Sequence, residues 1–150
     1  MTLTIGTGPF GDQGEKMFNF EVQAPREHVL YFEDSPRRVR VVFGGETVAD
    51  SRRVKLMHEA GHLPVYYFPE EDVRMDLLEA TDHTTRCPFK GDASYWSVRV
   101  GDRVAENAVW SYPEPIAASE KIRGNLSFFN EKVDLEVDGE AQVRPQTQWS

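Results

Sequence analysis

A chain of 150 residues is long enough for one domain with its own apolar core, and a net charge of −8 works against binding a phosphate backbone. Its single cysteine excludes an internal disulfide framework and any zinc site built on several thiolates, which points to a reducing, cytoplasmic setting. No run approaches the roughly 18 apolar residues of a membrane span and Met1 to Pro9 lacks a signal-peptide pattern, so neither membrane nor nucleic acid is expected as a partner.

Residues 1–28 read as a flexible arm in which Phe18, Phe20 and Val22 alternate as a short strand would; a single β-rich domain is expected over residues 29–140, and a polar tail over 141–150. Val29 to Phe32 is apolar until Asp34-Ser35-Pro36 breaks it. Val39, Val41 and Phe43 share one side of a strand, Gly44-Gly45 supplies the positive φ of a tight turn, and Thr47 to Asp50 returns as a hairpin. Arg37, Arg38, Arg40, Arg52, Arg53 and Lys55 form a local basic cluster against the acidic balance.

His58-Glu59-Ala60-Gly61-His62 fits the zinc-protease pattern, which works only on a helix, where positions four apart share a face. Gly61 weakens a helix, Leu63-Pro64 ends one, and Val65-Tyr66-Tyr67-Phe68 reads as a strand. A loop with two exposed histidines and no metal is therefore expected. Pro69 to Glu79 predicts a helix: proline at its start, three acids in its first turn, and Val73, Leu77 and Ala80 on one face.

Arg86 to Phe89 and Ser94 to Val100 predict two strands around a Lys90-Gly91-Asp92 turn, and Gly101-Asp102 opens a further hairpin into Arg103 to Tyr112. The period of two sends Tyr95 and Trp96 to opposite faces. Ile116 to Arg123 predicts a short helix ended by Gly124, and Leu126 to Phe129 with Lys132 to Val137 a last hairpin, whose Asp134, Glu136 and Asp138 line a wet face. The fold class is mainly β, with compact antiparallel strands and one or two short helices.

Arg38-Val39-Arg40-Val41 with Gly44-Gly45, Leu63 to Pro69 followed by Asp72-Val73, Cys87-Pro88-Phe89-Lys90-Gly91 leading to Tyr95-Trp96, Ala108 to Pro113, Phe128-Phe129 and Val133-Asp134 together carry a resemblance. The stretch from Arg38 to Gly139 resembles the domain-of-unknown-function family 427 of bacteria and fungi. The resemblance implies a β-tent-like fold, similar to methionine sulfoxide reductase B and the cereblon ligand-binding domain, and brings no settled activity. Similar sequences are sometimes labelled nucleotidyltransferases. The Gly-Ser turn and Asp-x-Asp pair that would hold a nucleotide and two metals are absent here, as are the cysteine pairs that bind zinc in many β-tent proteins.

The expected function is binding of a small charged or polar ligand in an aromatic-lined pocket drawn from Glu59, Tyr67, Asp72, Cys87, Lys90, Tyr95, Trp96 and Trp110, without a cofactor. The alternative is a hydrolase or nucleotidyltransferase-like transferase using Lys90 with Glu59, Asp72 or Asp134 as acid and base. Cys87 is expected to pack rather than react, as buried strand cysteines do. As a turn residue held beside Tyr95-Trp96, Lys90 is expected to serve binding and not stability, so that Lys90→Met leaves the unfolding midpoint nearly unchanged.

Overall fold

The computed structural model describes residues 30–59 and 63–143; the arm and most of the tail read from the sequence lie outside them, as does His62. The strands are β1 (Leu30–Asp34), β2 (Val39–Phe43), β3 (Glu46–Ser51), β4 (Lys55–Glu59), β5 (Val65–Tyr67), β6 (Leu78–Cys87), β7 (Gly91–Val100), β8 (Arg103–Ser111), β9 (Leu126–Phe128), β10 (Asp134–Val137) and β11 (Glu140–Ala141). They make three antiparallel sheets, ordered β1-β4-β5, β11-β10-β2-β3 and β6-β7-β8-β9. The mainly β fold is as expected. No helix among the described residues is long and apolar enough to cross a membrane.

The β6–β9 sheet contributes a face to each of two cores. Trp96, Val98 and Val109 pack with Val39, Val41 and Val48 of the β2-β3 hairpin in the larger core. Tyr95 and Trp110, paired across β7 and β8, pack with Met57 of β4 and Tyr67 of β5 in the smaller one. This is the alternation anticipated for Tyr95 and Trp96, because adjacent strand residues point to opposite faces. Gly44 and Gly45 both have positive φ (60° and 81°), the geometry a two-residue hairpin turn needs. Phe68 joins two sheets, its backbone exchanging hydrogen bonds of 2.7 and 2.9 Å with Leu126.

Three sequence expectations change. The predicted helix over Pro69 to Glu79 is two short 3-10 turns, Glu70–Asp72 and Met75–Leu77, after which β6 begins. Between them Val73 is extended (φ −115°, ψ 136°), buried, and bridged to Ala49 of β3. Burying Val73 and pairing its backbone with β3 outweighs the helical preference of a segment too short to be stable alone. The short helix near Ile116 is a 3-10 turn at Ala117–Ile122. The last hairpin is also different: β9 pairs with β8, and β10 pairs with β2 and β11, because the turn at Phe129, whose carbonyl accepts from the Lys132 and Val133 amides, redirects the chain to another sheet.

Asp72, at the end of the first 3-10 turn, accepts from Ser51 Oγ at 2.6 Å and from Arg53 Nη2 at 3.0 Å. Burial pushes its carboxyl up, but these donors outweigh burial and hold it below the usual carboxylate range. Such a group stabilises the fold above its unfolded pKa, and that contribution is lost as pH falls through the lower folded value. Asp72→Asn is expected to cost about 1–2 kcal/mol near neutral pH and progressively less as pH falls below the usual carboxylate range, as read by urea unfolding across that range.

Candidate functional site

β4 sends successive side chains in opposite directions. Met57 and Glu59 face the smaller core, while His58 turns away to Glu33, its Nε2 3.0 Å from Oε1, with the Tyr31 ring 5.9 Å from its own. The expected loop with an exposed histidine is thus corrected: His58 is buried on a strand, its ring beside Tyr31 and its Nε2 against the Glu33 carboxylate. The helix on which the zinc-protease pattern would operate is replaced by that strand.

Opposite Glu59 stands the loop between β6 and β7. Cys87 pairs with Gly91, so the connection is Pro88-Phe89-Lys90, and the turn falls earlier than the sequence places it. The backbone fixes this loop on both sides: the Lys90 amide donates to the Cys87 carbonyl at 3.3 Å, and the Ile116 amide donates to the Lys90 carbonyl at 2.9 Å. Ser119 Oγ donates to the Phe89 carbonyl at 3.1 Å. Gly91 has φ +116°, and a Cβ there would stand 3.3 Å from the Glu114 carbonyl oxygen, so the close approach requires glycine. Held this way, Lys90 turns inward and is only 7% exposed, where a turn corner would have left it in water. Its Nζ donates to Glu59 Oε1 at 2.9 Å.

Aromatic side chains of the smaller core stand near Glu59. Tyr67 and Tyr112 are buried, and Trp110 Nε1 donates to the Tyr67 hydroxyl at 3.3 Å with the two rings edge to face. Burial pushes both phenols well above the usual tyrosine range; Glu59 and Cys87 add to this in each, so both stay protonated as neutral hydroxyls. Tyr95, half-buried, shares a hydrogen bond of 2.9 Å with Thr85 Oγ1 and takes the His83 ring on its edge at 4.5 Å. Trp110 also packs on Phe129, with ring centroids 4.4 Å apart. Cys87, half-buried, completes the cluster from the end of β6.

Of the residues singled out from the sequence, Glu59, Tyr67, Cys87, Lys90, Tyr95 and Trp110 come together. Trp96 goes to the larger core, Asp72 binds Ser51 and Arg53, and Asp134 lies on β10 opposite Val42. Tyr112 was missed, although in Trp110-Ser111-Tyr112 it stands two residues from Trp110, the spacing that continues one strand face. Two surface depressions, of about 400 and 550 Å³, lie away from the cluster and have no aromatic lining. The half-exposed side of the cluster itself is formed by Tyr95, Trp110 and Cys87.

A family model described as a domain of unknown function (DUF427) matches residues 31–139, a span that includes the whole cluster. No curated protein matches the chain.

Proposed function

This chain belongs to the DUF427 family, and from that premise we propose that it binds a small polar or charged molecule against the Glu59–Lys90 pair, between Tyr67, Tyr95, Trp110 and Tyr112. The observation that carries the reading is the burial of that pair, whose side chains are 5% and 9% exposed. Removing two charges from water costs several kcal/mol per ion, and apolar residues of similar size would often hold such a core as well or better. A carboxylate and an ammonium kept among two phenols, an indole and a thiol therefore favour recognition over packing as their reason. Glu59 offers an acceptor and Lys90 a donor, so the ligand suited to them carries both kinds of group, with a flat part to lie on Tyr95 and Trp110. A cytoplasmic location is part of the same proposal, because the lone thiol of Cys87 suits a reducing compartment.

A second reading, a hydrolase or transferase, is favoured by one observation: of the carboxylates considered as partners for Lys90, it is Glu59 that meets it, so acid–base chemistry would run through this pair. The experiment is a metabolite-library thermal-shift screen followed by titration of Trp fluorescence with each hit. Lys90→Met, assayed well below its melting point, is expected to weaken binding by at least about tenfold. Trp96→Phe, in the other core, is expected to leave it unchanged. Equal affinity in wild type and Lys90→Met overturns the site, and mass spectrometry of the incubated hit separates a ligand from a substrate.

A further inference from the structure

The basic residues that stand out against the acidic sequence divide into two groups in the fold. Arg38 Nε and Nη2 donate to Asp50 at 2.9 and 2.6 Å. Arg52, Arg53 and Lys55 instead line the depression of about 550 Å³, where Lys121 joins them from the 3-10 turn at Ala117–Ile122. The depression is assembled from separate chain segments and is well apart in composition from the Glu59–Lys90 cluster. Two carboxylates, Asp34 and Glu71, also line it, and both are engaged: Lys55 Nζ lies 2.8 Å from Asp34 Oδ1, and Arg53 Nη2 lies 3.4 Å from Glu71 Oε1. Arg52 and Lys121 make no ion pair among the described residues. The Lys55 ammonium holds the Asp34 carboxyl below the usual range, and Lys121 adds to this, so the charge of Lys121 reaches into the depression.

The lining carries four cations, Arg52, Arg53, Lys55 and Lys121, against two carboxylates; Arg53 also bonds Asp72 and Arg52 acts on Asp50 from beyond ion-pair distance, so Arg52 and Lys121 are the cations without a close carboxylate partner among the described residues. We propose that this depression binds the diphosphate group of a small phosphorylated molecule. A guanidinium fork suits two oxygens of one phosphate, and a lysine ammonium gives a point charge for the next. Asn125 and Ser35 line the same depression and provide an amide and a hydroxyl as neutral donors. At about 550 Å³ the depression has room for more than a single phosphate group.

Isothermal titration of the full chain with inorganic pyrophosphate at about 50 mM salt tests this, with repetition at about 200 mM to read the screening. Saturable binding that weakens with salt is expected. Arg52→Ala with Lys121→Ala is expected to weaken it by at least about tenfold while leaving the unfolding midpoint unchanged, because both side chains are exposed. Three results overturn the proposal: no saturable heat at millimolar pyrophosphate, equal affinity in the double variant, or equal affinity for sulfate, which would mark a charged surface without selectivity.

Discussion

Lys90→Met is expected to destabilise the protein by about 3–5 kcal/mol at neutral pH, the loss typical when one member of a buried ion pair is removed. The sequence places Lys90 in an exposed turn, where such a change would cost little. Burial of both side chains reverses that, because the Glu59 carboxyl then lacks the ammonium that faces it at 2.9 Å. The cost lies in the burial of the remaining carboxyl group more than in the lost contact. Replacing both residues, Glu59→Leu with Lys90→Met, is therefore expected to recover most of the loss, since the second change removes the buried polar group. Chemical denaturation of the wild type, both single variants and the double variant closes the cycle. A loss below about 0.5 kcal/mol in Lys90→Met would show that water reaches the pair freely.

Phe68→Ala is expected to cost about 3–5 kcal/mol, a loss of similar size with a different origin. The Phe68 ring is fully buried in the larger core and meets Phe128 edge to face, with centroids 5.5 Å apart. Truncation leaves a cavity between sheets that cannot close, because the Phe68 backbone is tied to Leu126 on both of its polar groups. Phe68→Leu is expected to lose less than half as much, since it keeps most of the volume. The urea midpoints of the two variants are the measurement, and equal midpoints would mean that the core relaxes around the gap. Ligand affinity separates the two predictions: Lys90→Met is expected to lose it, and Phe68→Ala to keep it whenever the chain is folded.

What could be read from the sequence was local. The Gly44-Gly45 hairpin was legible because two adjacent glycines meet the backbone requirement of one kind of turn. The opposite fates of Tyr95 and Trp96 followed from strand geometry alone. The segment from Pro69 to Glu79 misled because its apolar spacing satisfies a helix, while the decisive partner of Val73 is Ala49, on a distant strand. Lys90 and Glu59 lie 31 residues apart, and nothing in either stretch announces the other. Their meeting also depends on the loop beginning at Pro88, which Gly91 permits by pressing its bare Cα against Glu114 to Ile116. Six residues of the cluster could be named in advance as chemically apt, but their convergence is a property of tertiary pairing.

The pairing of β2 with β10 sets an order of events for the growing chain. The Arg38 amide donates to Asp138, 100 residues later in sequence, and the Asp138 amide returns a hydrogen bond to the Arg38 carbonyl. Loops that long have a high closure entropy that must be met before the contact gives anything back, and topologies dominated by such pairings fold in milliseconds to seconds. During synthesis the β2-β3 hairpin emerges early, yet the edge of β2 that β10 will cover stays open until Val137 has been added. At roughly 5–20 residues per second that wait lasts several seconds, during which an unpaired apolar strand edge is available to any other chain. The vulnerable interval of this protein therefore falls on the ribosome, before its last sheet can close.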